Sequence, residues 1–152
     1  MMIAYMAGEY LEAAKITNLA KITNSQNPDK FAPTYFLVCR SLELSLKAFL
    51  RGSGHSVSQL RNIQHDLDKC AERAIGAALD RYVSLSESDR ALIRAANVYY
   101  KSKDFEYTIA GYKPRRPCVE PLIQLAERVS RSLLDFCANQ RKYHFGKPTA
   151  AR

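Results

Sequence analysis

The stretch "LRNIQHDL", Leu60–Leu67, sets Arg61 and His65 four positions apart with Asp66 beside them. A guanidinium stabilises negative charge on a phosphate, and an imidazole takes or gives a proton near neutral pH, so this pair suits phosphodiester chemistry. The same residues also have a plain structural use. His65 or Asp66 at the start of a helix accepts from the first free N–H groups, and Asp66 complements the positive end of the dipole. Leu67 then becomes the first core anchor of that helix. The structural use is the primary reading, and Arg61 and His65 are retained as the catalytic candidates.

A second group lies in "YYKSKDFEYTIAGYKPRRP", residues 99–117, where Lys101, Lys103, Lys113, Arg115 and Arg116 interleave with Tyr107, Tyr112 and other aromatic residues. Cations grip phosphates while aromatic faces stack bases, a combination suited to single-stranded nucleic acid or a nucleotide. The competing reading has the aromatic rings pinning a long loop to the body of the protein, with the cations solvated. Carboxylates such as Glu9 with Glu12 and Asp66 with Asp68 read as solvated faces with no acid/base pairing. The chain has no G-x-G-x-x-G, G-K-[ST], G-x-S-x-G or H-E-x-x-H motif. The three histidines and four cysteines are dispersed, without a C-x-x-C pair, so neither a metal site nor a cofactor is expected. Cys39, Cys70 and Cys137 fall among apolar residues and read as buried free thiols, pointing to a reducing, cytoplasmic setting.

The elements that must position these residues are helical almost throughout. Ile3, Met6, Tyr10, Ala13/Ala14, Thr17 and Ala20/Lys21 track one face of a first helix over about 2–23. The turn-rich "TNSQNPDKFAP" follows, and Pro33 suits the first turn of the next helix. That helix, "PTYFLVCRSLELSLKAFLRG", is the most apolar and should be central, with Tyr35, Val38/Cys39, Leu42, Leu46 and Phe49 inward. Arg40, Glu43 and Lys47 form a narrow polar ridge along it, with Glu43 and Lys47 in the favourable i, i+4 order.

Gly52 and Gly54 stop the central helix. Ser56 and Gln59 cap a short one, another runs from His65 or Asp66 to Leu79, and Ser86 with Asp89 opens one ending near 101. The last spans about 118–140, with Leu122, Leu125/Ala126, Val129, Leu133 and Phe136/Cys137 inward, before a frayed tail. The expectation is an all-α, up-and-down bundle of four to five main helices plus a short helix and one long loop. It forms one domain over residues 1–145, with a flexible tail at 146–152.

At 152 residues the chain is long enough to bury a core unaided, and no apolar run approaches a membrane span. No secretory leader is expected, because Glu9 and Glu12 interrupt the N-terminal apolar region. Net charge is +8, of which residues 1–100 carry +2 and residues 101–152 carry +6. A positive field of this kind attracts phosphates or an acidic protein.

Residues 40–74, "RSLELSLKAFLRGSGHSVSQLRNIQHDLDKCAERA", resemble the middle of a HEPN domain, a helical-bundle family of higher eukaryotes and prokaryotes. The E-x-x-L-K-A-x-L helix is Glu43, Leu46, Lys47, Ala48 and Leu50; Gly54 makes the turn; His65, Asp66 and Leu67 form the H-D-L that opens the next helix. The resemblance implies an up-and-down bundle, commonly a homodimer, that handles nucleotides or RNA in bacterial toxin–antitoxin, defence or stress systems. Many such proteins are metal-independent ribonucleases carrying R-x4-6-H. Here Arg61 and His65 have only three residues between them, as do Arg51 and His55, and Arg141 and His144 have two. The motif is therefore missing as usually written. The resemblance with that departure points to a nucleotide- or RNA-binding module without ribonuclease activity, and the cation–aromatic pattern makes Lys101, Lys103, Lys113, Arg115, Arg116, Tyr107 and Tyr112 the expected contacts. The alternatives are a protein-interaction module docking an acidic partner, or a ribonuclease working through Arg61 and His65.

Overall fold

The computed structural model describes residues 2–24, 32–102 and 117–144. Among them the fold is all-helical: α1 (Met2–Asn24), α2 (Ala32–Gly52), α3 (Val57–Arg61), α4 (Leu67–Gly76), α5 (Glu87–Lys101) and α6 (Val119–His144), with a 3-10 turn at Leu79–Arg81. No helix among the described residues is long and apolar enough to cross a membrane.

Helix α2 is the axis of the bundle, packing against α1, α4, α5 and α6. It is apolar on more than one side, so Tyr35, Val38, Cys39, Leu42, Leu46, Phe49 and Leu50 are all buried. Near its C-terminal end Phe49 meets Phe136 at 5.0 Å and Tyr82 at 5.7 Å between ring centroids. The inward face expected of α6 is the one that packs: Leu122, Leu125, Ala126, Val129, Leu133, Phe136 and Cys137 are buried. Cys39 and Cys70 are buried free thiols, and burial pushes the Cys70 thiol up to about 12.

Helix α1 packs through a face that overlaps the expected one only in part: of the expected residues Ala14 is buried and Ile3 packs half-buried against the core. Ala4, Ala7, Leu11 and Ala14 are buried, while Met6 joins Met2, Tyr5, Ile16 and Leu19 among the exposed large residues. The reason is the closeness of α1 and α2. Ser41 Oγ donates across the interface to the Ala7 carbonyl at 2.8 Å, an approach that only small side chains permit.

The helix ends follow local chemistry. Gly54 adopts φ 100° after α2, and the N–H groups of His55 and Gly54 reach back to the Leu50 and Arg51 carbonyls. This is the paired arrangement that closes a helix with a left-handed glycine. Ser56 with Gln59 and Ser86 with Asp89 form reciprocal caps on α3 and α5. Asp89 also accepts from Arg128 of α6 at 2.6 Å.

Two boundaries differ from the sequence reading. Helix α4 stops at Gly76, because Ala78 turns left-handed at φ 66° and starts the 3-10 turn, instead of continuing to Leu79. Helix α6 runs on to His144 through residues assigned above to a frayed tail. Arg141, Lys142 and His144 are residue types favoured at a helix C-terminus, and no glycine or proline intervenes before Gly146.

Candidate functional site

The polar ridge of α2 is a buried charge centre, not a solvated stripe. The Glu43 side chain has 0% exposure, and four side chains converge on its carboxylate. Lys47 Nζ donates to Oε1 at 2.6 Å. Arg40 Nη1 donates to Oε2 at 2.9 Å, and the Tyr100 hydroxyl donates to Oε2 at 2.5 Å. His65 Nδ1 lies 3.2 Å from Oε2. Burial works to raise the Glu43 carboxyl, but hydrogen bonds from Lys47, Tyr100 and His65 outweigh it and hold the group below the usual carboxylate range. Burial, then the neighbouring carboxylate, pushes Tyr100 well above the usual phenol range, so it remains a donor.

An ionised carboxylate only accepts, so the His65–Glu43 contact requires Nδ1 to carry the proton. Nε2 is then the nitrogen free to accept in a neutral ring. In that form the 3.5 Å approach of Arg40 Nη1 to Nδ1 places two donors together and is not a hydrogen bond. The His65 ring also stands edge-on to Tyr100, with centroids 6.0 Å apart, which fixes it from a second side.

The turn between α3 and α4 delivers His65 to this centre. Gln64 adopts φ 56°, and its carbonyl accepts from Lys47 Nζ at 2.5 Å. Asp66 is the N-cap of α4, accepting from the Lys69 N–H at 3.1 Å, and Leu67 is fully buried. The capping role anticipated for this stretch therefore belongs to Asp66, while His65 turns to Glu43. Asp66 is not a solvated carboxylate. It also accepts from Asn97 at 2.9 Å and Lys101 at 2.6 Å, and Asn97 Oδ1 accepts from the Leu67 N–H. Burial raises the Asp66 carboxyl, but Lys101, the Lys69 N–H and Asn97 together hold it below its ordinary value.

Above this network lies a cleft of about 750 Å³ between α2, α3, the α3–α4 turn and the ends of α4 and α5. Its rim carries six cations, Arg40, Lys47, Arg51, Arg61, Lys69 and Lys101, against two carboxylates, Glu43 and Asp66. Both carboxylates are already bonded to lysines or arginines inside the protein. Arg61 and Lys69 are exposed and have no side-chain partner among the described residues. One wall is aliphatic, built from Leu44, Leu60 and Ile63.

Of the residues singled out from sequence, Arg61, His65 and Lys101 meet at this cleft. Arg51, of the Arg51–His55 pair, also reaches it, while its Nη1 donates to the His55 carbonyl at 3.0 Å. Lys103, Tyr107, Tyr112, Lys113, Arg115 and Arg116 lie outside the described residues.

Sequence reasoning missed the burial of Glu43 and the bond to it from Tyr100, one of the aromatic residues interleaved with the cations of residues 99–117. The signal for Glu43 was its place in "LELSL", a carboxylate flanked by leucines on a helix that is apolar nearly all round. For Tyr100 no local signal existed, since its partner is 57 residues away. Among the described residues no group of His, Cys, Asp and Glu could hold a metal ion. No family model, curated protein or solved structure matches this chain.

Proposed function

We propose that the protein is a HEPN-like module that binds a phosphate-bearing ligand, a nucleotide or RNA, in the cleft over Glu43. The observation that carries this reading is the charge of the cleft: among the described residues six cations line it against two carboxylates, and Arg61 and Lys69 are left outside the ion pairs that Glu43 and Asp66 make. A phosphate entering there meets Arg61 and Lys69, neither of which has a side-chain partner among the described residues. The two stretches that carry the HEPN resemblance, E-x-x-L-K-A and H-D-L, both contribute lining residues to this cleft and meet through Glu43 and His65. A role in a toxin–antitoxin or defence system and a cytoplasmic setting belong to the same proposal.

Fluorescence anisotropy with labelled single-stranded RNA and with a labelled nucleotide at low salt tests it. Binding that weakens steeply with added salt, and by roughly tenfold or more in an Arg61→Ala, Lys69→Ala double variant, is expected. Absence of binding to both probes at low salt overturns the reading.

The Glu43–His65 contact favours a second reading, a metal-independent ribonuclease. Glu43 holds the ring so that Nε2 accepts, the arrangement a base needs to take the proton of a 2′-hydroxyl. Purified protein should then cleave RNA in the presence of a chelator, and His65→Ala should abolish cleavage. Cleavage unchanged in that variant removes His65 from the chemistry.

A further inference from the structure

Helix α1 has two faces, and among the described residues only one packs into the bundle. Ala4, Ala7, Leu11 and Ala14 pack inward, whereas Met2, Tyr5, Ile16 and Leu19 are between 65% and 77% exposed. Met2, Tyr5, Glu9, Glu12, Ile16 and Leu19 follow one another at steps of three, four, three, four and three. That alternation keeps all six on one stripe of a helix, the spacing of a seam that receives another helix. The seam is apolar at both ends and acidic in the middle. Glu9 has no partner among the described residues, and Glu12 shares Lys15 with Glu127 at 3.0 Å each.

The charge pattern decides what fits. In an antiparallel two-fold pairing of the seam with itself, Met2 meets Leu19 and Tyr5 meets Ile16, but Glu9 meets Glu12 twice. Shifting the pairing by a heptad sets Glu9 against Leu19 and Glu12 against Ile16, or Tyr5 against Glu9 and Met2 against Glu12. A parallel pairing stacks each glutamate on its own copy. Every register of self-association either opposes like charges or buries carboxylates against apolar side chains. The seam is also about 25 Å long and about 10 Å wide. That footprint of roughly 250 Å² seats one helix.

We infer that the outer face of α1 docks an amphipathic helix of a partner protein, one that is apolar at both ends of its seam and carries Lys or Arg at the centre. Apolar ends supply contact area, while central cations meet Glu9 and Glu12 and set the register. The partner helix here is basic, in contrast to the acidic partner suggested by the net charge of the chain. The proposal is independent of the cleft and of its ligand.

The test uses the whole chain and two synthetic helical peptides of 21 residues with leucines at the end seam positions. One has lysines at the two central seam positions and the other has glutamates. The lysine-centred peptide should bind about tenfold or more tightly than the glutamate-centred one in anisotropy titrations. Ile16→Glu with Leu19→Glu should abolish binding, and circular dichroism should show these exposed substitutions leave the fold intact. Glu9→Lys should shift preference towards the glutamate-centred peptide. Equal affinity for both peptides, no binding of either, or binding indifferent to Ile16→Glu overturns the inference. Sedimentation showing a dimer that Ile16→Glu dissociates also overturns it, because the seam is then occupied by a second copy.

Discussion

Glu43 holds a formal charge where no solvent reaches it, and a bare carboxylate there would be strongly disfavoured. Lys47, Arg40, Tyr100 and His65 supply the replacement for water. Removing the carboxylate strands two cations beside each other, so Glu43→Ala should lower stability by about 3–5 kcal/mol in urea unfolding. Because the folded-state carboxyl sits below its unfolded value, the stability it contributes is present above the ordinary carboxylate range. That contribution is lost as pH falls through the folded-state value. Thermal melts from neutral pH into the acid range should therefore fall less steeply in Glu43→Gln than in the parent chain. A parallel fall in both would show that Glu43 does not govern acid sensitivity. Arg61 and His65 were visible in the sequence as a spaced pair, but their relation is indirect. They face one cleft, and the carboxylate that orients His65 comes from α2.

At the scale of elements, nearly every helix start could be read from sequence because caps are local. Ser56 with Gln59, Asp66, and Ser86 with Asp89 each satisfy N–H groups within three residues of themselves. Ser86→Ala should cost about 1 kcal/mol, measured as a lower urea midpoint at unchanged slope. Two positions carry residues that their backbone does not need. Gly8 lies inside α1, and a Cβ built there meets nothing within 4 Å. Gly8→Ala should therefore raise stability by about 0.5–1 kcal/mol. Ala78 holds a left-handed conformation at φ 66°, which costs a side-chain-bearing residue about 1–2 kcal/mol. Ala78→Gly should recover part of this as a higher melting temperature, and a lower one would show that the turn depends on the alanine methyl group. The inward face of α1 matches the periodic one only at Ile3 and Ala14, because periodicity weighs bulk whereas the close α1–α2 contact favours small residues such as Ala4 and Ala7.

For the whole molecule, cations from four helices are gathered at one cleft among the described residues. Arg40, Lys47 and Arg51 come from α2, Arg61 from α3, Lys69 from α4 and Lys101 from α5. With about four phosphates of a single strand neutralised, log K for RNA should fall against log salt with a slope of about −3, and Arg61→Ala should reduce that slope by about 0.7. An unchanged slope in that variant would place the phosphates elsewhere on the protein. By itself, the sequence determined the helical class, the caps and the central place of α2, because periodicity and capping act over a few residues along the chain. It also marked Arg61, His65 and Lys101 as residues of chemical interest. Only the tertiary structure decided that Glu43 is buried, that Tyr100 and His65 meet on it, and that six cations from four helices share a cleft. These contacts join residues 22 and 57 positions apart, and no local pattern encodes which helix faces turn towards each other.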